Sequence, residues 1–110
     1  MNSALEAEVT QLHAEICGAL ADPSRIMILY ALFDGSKNVT EICNSVNMPQ
    51  PSVSRHLKIL RERRMVTTER MGTVVQYSLV DRRVIEALDI LRAVLRDGLA
   101  KRAELAEAIS

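Results

Sequence analysis

The stretch Pro49-Gln-Pro-Ser-Val-Ser-Arg-His-Leu-Lys-Ile-Leu-Arg-Glu62 decides the fold, because its pattern predicts an amphipathic helix. Pro51 fits a first helical turn, where its missing N–H would have no partner anyway. Val53, Leu57 and Leu60 recur at spacings of four and three residues and mark a buried stripe. The polar and basic side chains of this helix suit contact with phosphates and base edges: Gln50, Ser52, Ser54, Arg55, Lys58 and Arg61. The alternative is an ordinary solvated helix, so the surrounding sequence has to decide.

Two further helices are predicted before this one. Asp22-Pro23 indicates the start of a central apolar helix and Gly35 indicates its end. Residues 39–46 predict a short helix with Thr40 as its start. A short helix, a tight turn and an amphipathic helix form a helix-turn-helix over residues 39–62, in which the amphipathic helix is the recognition helix.

The sequence period changes from helical to extended after Arg64. Two runs rich in β-branched residues flank Met71-Gly72 and predict a β-hairpin over residues 65–79. A hairpin directly after a recognition helix is a wing. Arg70 and Thr73 lie near its tip, where they either reach a phosphate or an adjacent minor groove or are merely solvated turn residues.

The two ends of the chain carry apolar seams at helical spacing. The first seam consists of Leu5, Val9, Leu12 and Ile16, and the second, after Asp81, of Val84, Leu88, Leu91, Leu95 and Leu99. A winged domain of this size has little to bury the second seam against except another copy of itself, and an exposed stripe of that length favours aggregation. We therefore interpret residues 1–20 and 81–110 as the dimerisation helices of a homodimer. The expected fold class is mainly α with a small β-hairpin wing, a dimeric winged helix-turn-helix.

Composition limits the class of protein. The 110 residues predict one domain, and 48% apolar content excludes a disordered chain. No apolar stretch approaches the roughly 20 residues needed to cross a bilayer, the N-terminal segment is acidic, and the two cysteines accompany no secretory signal. We expect a cytoplasmic protein with no membrane partner and no cofactor. Two scattered histidines, two isolated cysteines and no glycine-rich phosphate loop do not supply an enzyme active site.

The formal net charge is zero, but the charges are unevenly distributed. Residues 1–22 contain four acidic residues and no Lys or Arg, whereas residues 55–70 contain six basic residues against two acidic ones, a local excess of four positive charges. A basic face is what contact with phosphates requires, so we expect double-stranded DNA as a partner. The alternative is a winged-helix protein-interaction module without specific DNA binding, which has no need of several cations facing one way.

Three segments resemble, in order and spacing, the ArsR-type (ArsR/SmtB) winged-helix repressors: Leu20-Ala-Asp-Pro-Ser-Arg-Ile-Met-Ile-Leu29, Gln50-Pro-Ser-Val-Ser-Arg-His-Leu57 and the wing. The resemblance runs from about residue 12 to residue 95. It implies a dimeric transcriptional repressor with five helices and a wing, which binds a palindromic operator and is released by a chemical signal. It also implies that Gln50, Ser54 and Arg55 read DNA and that His56 leans toward the core.

The chain departs from that family at its common metal sites. Where many members carry Cys-x-Cys, this sequence has Asn38 and Thr40. Where others bind zinc through histidines and carboxylates of the last helix, the acidic positions are kept but Arg83 and Val94 replace the histidines. Zinc prefers nitrogen and sulfur donors, so we predict no metal site of either kind.

Cys17 and Cys43 allow two interpretations. They are either small buried hydrophobic residues, as free cysteines commonly are, or a sensing pair for oxidation, sulfur transfer or a soft metal. His13, four residues before Cys17, is either a third ligand or a simple surface histidine. The inducer is therefore unknown from the sequence.

Overall fold

The computed structural model describes residues 2–109, and its elements follow the predicted order. Along the chain they are α1 (Ser3–Leu12), a π-helical turn that continues it (His13–Cys17), α2 (Pro23–Phe33), α3 (Val39–Val46), α4 (Gln50–Glu62), β1 (Val66–Met71), β2 (Val74–Leu79) and α5 (Arg83–Ile109). α3 and α4 form the helix-turn-helix, and β1 and β2 form the wing. The expected fold class, mainly α with a β-hairpin wing, is confirmed.

Side-chain caps fix the starts of α2 and α3. The Asp22 carboxylate accepts a hydrogen bond from the N–H of Ser24 at 2.8 Å, so the predicted start of α2 is confirmed. The prediction that Thr40 starts α3 is wrong, because Asn38 is the cap. The Asn38 side chain accepts from the N–H of Glu41, and the Glu41 carboxylate accepts from the N–H of Asn38, both at 2.9 Å.

Two residues with left-handed backbone position α4. Asn47 ends α3 at φ 55° and turns the chain toward α4. Arg64 follows α4 at φ 61°. Its N–H donates to the Arg61 carbonyl at 3.1 Å, and the N–H of Met65 donates to the Leu60 carbonyl at 2.9 Å, which is a Schellman motif. The chain thereby leaves the recognition helix abruptly and enters β1.

We expect Arg64→Gly to stabilise the fold by about 0.5–1 kcal/mol. A side chain in the left-handed region costs roughly 1–2 kcal/mol, and the larger unfolded-state entropy of glycine offsets only part of that gain. Urea unfolding followed by circular dichroism measures the difference. Arg64→Ala is the matched control, since it removes the same guanidinium but keeps a Cβ at φ 61° and so gains nothing from the backbone. Equal destabilisation by the two substitutions would contradict the expectation.

The wing is an antiparallel hairpin in which Met71 pairs with Val74. This register leaves Gly72 and Thr73 as a two-residue turn, so the predicted turn at Met71-Gly72 is wrong by one position. Gly72 adopts φ 67°, which glycine reaches without a steric penalty. Thr73 therefore lies in the turn itself, and Arg70 lies one position before the last strand pair.

A backbone bridge ties the wing to the segment before α3. The N–H of Tyr77 donates to the Lys37 carbonyl at 2.8 Å, and the N–H of Lys37 donates to the Tyr77 carbonyl at 3.0 Å. Sequence periodicity did not predict this bridge. The wing is therefore hydrogen-bonded to the segment that leads into the helix-turn-helix, in addition to following α4 along the chain.

The core is built by α2, α3, α4, the start of β1 and the first turns of α5. Its buried apolar side chains include Ile28, Leu29, Leu32, Ile42, Val53, Leu57, Leu60, Met65, Val66, Ile85 and Leu88. The central position of α2, expected from its apolar density, is confirmed. The chain enters α5 against the end of α2, because Arg82 Nη1 donates to the Phe33 carbonyl at 2.8 Å and its guanidinium lies 4.1 Å from the centre of the Phe33 ring.

α1 and most of α5 project from this core. The radius of gyration is 17.4 Å, against about 13 Å for a compact domain of this length. Both helices expose apolar side chains: Leu5, Val9 and Leu12 on α1, and Ile90, Leu91, Val94, Leu95 and Leu99 on α5. The seam predicted on α5 is wrong at its beginning, because Leu88 is buried within its own subunit and Val84 is half-buried. No helix within residues 2–109 is both long enough and apolar enough to cross a membrane.

Candidate nucleic-acid interface

The recognition helix α4 has one face in the core and one face in solvent. The predicted buried stripe is confirmed, since Val53 is 0% exposed, Leu57 1% and Leu60 0%. The side chains predicted to contact DNA are exposed at five positions: Gln50, Ser54, Arg55, Lys58 and Arg61. Ser52 is half-buried at the margin of this face. The helix therefore presents a continuous polar and basic surface outward.

The cations on this surface have no partner among residues 2–109. The ion pairs of residues 2–109 involve Arg25, Arg83 and Arg92, none of which lies on α4 or the wing. Within the same range, no hydrogen bond or ion pair engages the side chains of Arg55, Lys58, Arg61 or Arg70. An exposed cation without an internal partner is available to an external anion, and four such cations on α4 and the wing suit the phosphates of DNA.

His56 supports α4 from the core side. It is 8% exposed, which confirms its predicted position, and its Nδ1 lies 3.4 Å from Arg25 Nη1. The same arginine donates through Nε to the Ala19 carbonyl at 2.8 Å and through Nη2 to the Gly18 carbonyl at 3.3 Å. The Arg25 side chain therefore connects the recognition helix to residues 18 and 19, which follow the π-helical turn.

The wing tip contains two exposed apolar residues that sequence reasoning missed. Met71 is 59% exposed and Val74 41%, and they form the strand pair next to the turn. Arg70 and Thr73 are also exposed at this end of the hairpin. The signal was present in the sequence, because the residues that flank a two-residue turn necessarily stand at the tip. The wing thus offers both polar and apolar contacts.

The two cysteines lie in different environments. Cys17 is exposed at the end of the π-helical turn, so the interpretation of both thiols as buried hydrophobic residues is wrong for this one. Cys43 is half-buried and packs against the core from α3, as that interpretation expects. His13 is exposed at the beginning of the same π-helical turn as Cys17. Across the described residues, no cluster of three or more His, Cys, Asp or Glu side chains could hold a metal ion.

An ion pair occupies the start of α5, where the resemblance would place part of a zinc site. Arg83 Nη2 donates to Asp81 Oδ2 at 2.7 Å. The pKa of Asp81 is lowered to about 2, first by hydrogen bonds from the Arg83 side chain and then by the one from its backbone N–H. The Asp81 carboxylate is therefore ionised and already bound at neutral pH.

An exposed recognition helix whose cations are unpaired within the described part of the chain, followed by a wing, defines a winged helix-turn-helix DNA-binding protein. The family of bacterial regulatory proteins named arsR matches residues 22–68. The transcriptional regulator NmtR of Mycobacterium tuberculosis is 38% identical over 85 residues, which cover 77% of this chain and 71% of NmtR. The chain belongs to the ArsR family of bacterial regulatory proteins.

Other relatives agree with this assignment. The transcriptional repressor SmtB of M. tuberculosis is 38% identical over 91 residues, covering 83% of this chain and 66% of SmtB. The homodimeric winged helix-turn-helix DNA-binding domain of Mb0332 from Mycobacterium bovis superposes with a TM-score of 0.74 at 25% identity, covering 90% of this chain and 91% of that domain. The protein is therefore a DNA-binding transcriptional regulator and not an enzyme.

Proposed function

We propose that this protein is a homodimeric repressor that binds a palindromic operator and leaves it when a chemical signal changes the dimer. The observation that carries this proposal is the face of α4, where exposed cations have no partner within residues 2–109. The repressor SmtB, at 38% identity, supports the direction of regulation. The homodimeric domain of Mb0332 supports the assembly.

Each candidate residue has a role that its chemistry suggests. Gln50 and Arg55 carry planar groups that can bind base edges through two hydrogen bonds. The phosphate contacts come from the other polar and cationic side chains of α4, Ser52, Ser54, Lys58 and Arg61, and from Arg70 and Thr73 of the wing. Ser52 contributes from the edge of the face because it is half-buried.

The proposed dimer is formed by the projecting helices. Residues 1–20 and 81–110 are assigned to dimerisation, and 1–110 to a single winged domain. Covering the exposed stripes of α1 and α5 removes apolar surface from water, which stabilises association. Two recognition helices then face half-sites about one helical turn apart.

Thiol chemistry is a hypothesis for the signal. Cys17 is exposed to oxidants, sulfur donors and soft metals, whereas Cys43 is half-buried against the core. If thiols carry the signal, Cys17→Ser removes the response of DNA binding to these reagents and Cys43→Ser keeps it. A response that is identical in the wild type and both variants would exclude the thiols as sensors.

A salt titration tests the DNA-binding function. We expect the logarithm of the affinity for a duplex selected from a random pool to fall linearly with the logarithm of the salt concentration. The reason is that phosphate contacts release counterions from DNA. Gel-shift or fluorescence anisotropy measures the slope. Indifference to salt, or no binding to any duplex, would instead support the winged-helix protein-interaction module.

Two substitutions on α4 separate base reading from phosphate contact. Arg55→Ala is expected to weaken binding to the selected duplex by about 1–3 kcal/mol and to relax discrimination at one position. Lys58→Ala is expected to weaken all sequences about equally and to lower the salt slope by about one. The two variants are matched, since both residues are exposed on the same helix. Equal losses on selected and random duplexes for both would contradict the assigned roles.

A further inference from the structure

A cavity of about 450 Å³ lies where α1 with its π-helical turn, the end of α4 and the start of α5 meet. Its apolar wall is formed by Leu12, Ile16, Leu20, Met65, Val84 and Leu88. This volume falls within the roughly 300–1,000 Å³ typical of small-molecule sites. The residues proposed to contact DNA do not line it.

The charges around the cavity favour an anion. Besides the apolar wall, the lining contains the charged residues Glu15, Arg63, Arg64, Asp81 and Arg83. Asp81 and Arg83 are paired with each other, so their charges cancel. Arg63 and Arg64 remain against Glu15, and neither arginine forms an ion pair with any carboxylate of residues 2–109. One anionic group of a ligand would balance the lining.

Arg64 reaches the cavity from a strained backbone position. Its φ of 61° lies in the region where glycine is the usual residue after a helix. Non-glycine residues in this conformation concentrate at functional sites, where the side chain has a role that outweighs the strain. An arginine at this position is accounted for if its guanidinium holds a ligand.

Arg63 connects the cavity to the π-helical turn that continues α1. Its Nη1 donates to the carbonyl of Ala14 in the π-helical turn. Gly18 leaves room for this contact, since a Cβ there would lie 2.7 Å from the same nitrogen. A carboxylate is a stronger acceptor for a guanidinium than a backbone carbonyl is. A carboxylate in the cavity would therefore compete with Ala14 for Arg63.

We propose that this cavity binds an amphipathic carboxylate, whose apolar body lies against α1 and α5 and whose anionic group is held by Arg63 and Arg64. Binding draws Arg63 away from Ala14. The hydrogen bond that joins the end of the recognition helix to the π-helical turn is then lost. In the proposed dimer, a second copy covers Leu12 and Leu91 at the rim and closes the cavity. Release of DNA by this ligand rests on the proposed function; the binding site does not.

Calorimetric titration of the full chain without DNA tests the site. The probes are decanoate, decanol and decyltrimethylammonium, all below their micellar concentrations. We expect one decanoate per chain, with decanol at least about tenfold weaker because it lacks the charge-assisted hydrogen bonds, and no binding of the cation. Equal affinity for decanoate and decanol would overturn recognition of the anionic group.

Variants separate the site from general surface charge. Arg64→Gly, which relieves the backbone strain, is expected to bind decanoate at least about tenfold more weakly. Lys101→Gln removes an exposed cation of α5 outside the cavity lining and is expected to keep the wild-type affinity. Unchanged affinity in Arg64→Gly would overturn the proposal. So would decanoate binding that requires the dimer to dissociate in sedimentation, because a second copy would then fill the cavity.

DNA binding tests the regulatory consequence separately. Decanoate is expected to weaken binding of the wild type to its selected duplex. Duplex binding by Arg64→Gly is expected to stay the same with and without decanoate. Gly18→Ala, whose Cβ displaces Arg63 from Ala14, is expected to weaken binding without decanoate. Unchanged duplex binding at saturating decanoate would overturn the regulatory role. A chain that binds decanoate but no duplex would contradict the proposed function and support the site.

Discussion

Replacing Leu91 and Leu95 together with glutamate is expected to yield a folded monomer that binds a palindromic duplex at least about a hundredfold more weakly. Both side chains are exposed within the subunit, Leu91 by 60% and Leu95 by 57%, so their replacement leaves the subunit core intact. The dimer is destabilised because each added carboxylate must be desolvated in an apolar interface. Operator affinity falls because the two DNA-binding units are no longer linked to each other, and that linkage raises affinity by about 10²–10⁴.

Sedimentation and gel-shift on full and half-site duplexes measure the two effects. The control variant, Arg96→Gln with Ala100→Glu, changes the net charge of α5 by the same amount at exposed positions away from the apolar stripe. It is expected to remain a dimer. A double-glutamate variant that stays dimeric would show that the α5 stripe does not form the interface. A monomer with undiminished operator affinity would show that DNA binding does not need the pair.

Leu57→Ala is expected to lower the free energy of unfolding by about 2–5 kcal/mol, a large share of the roughly 5–15 kcal/mol typical of a domain. Leu57 is 1% exposed and contributes to the cluster that joins α4 to α2 and α3, so its truncation leaves a cavity that the neighbours fill only in part. Its neighbour Lys58 is exposed, and Lys58→Ala is expected to change stability by no more than about 0.5 kcal/mol.

The two adjacent substitutions should therefore have opposite profiles. Urea unfolding at one fixed protein concentration measures stability, since dimer stability depends on concentration. Salt-dependent anisotropy at a temperature where both variants are folded measures DNA binding. Leu57→Ala should lose stability and keep the salt slope, whereas Lys58→Ala should keep stability and lose part of the slope. Similar destabilisation by both would mean that α4 is not amphipathic in the way the structure describes.

The fold was predictable because its strongest signals are local. The spacing of Val53, Leu57 and Leu60 specifies which face of α4 is buried, and Asp22 caps α2 through an interaction two residues away. The errors at Thr40 and at the wing turn were also local, since Asn38 with Glu41 is a capping-box pattern and Gly72 can occupy the first turn position. Both features are specified by residues within a few positions of one another.

Other features depend on distant parts of the chain, and periodicity carries no information about them. The Lys37–Tyr77 bridge joins segments that are forty residues apart. Leu88 belongs to an apolar seam by spacing, yet it is buried by its own subunit because the start of α5 packs against the core. Cys17 has apolar neighbours in sequence but lies at the exposed end of a π-helical turn. The exposed cations of α4 were predicted by residue type, whereas their lack of a partner among residues 2–109 depends on where the fold places distant carboxylates.

The Lys37–Tyr77 bridge has a mechanical consequence. The base of the wing is hydrogen-bonded to the segment that enters α3. The hairpin and the helices α3 and α4 are therefore constrained to move as one rigid unit. A signal acting on the projecting helices would then alter the separation and tilt of two rigid units in a pair, with little distortion inside either. Adding a single base pair between the two half-sites should therefore severely weaken DNA binding by the unliganded protein. A rigid unit cannot deform to reach a half-site that has been displaced.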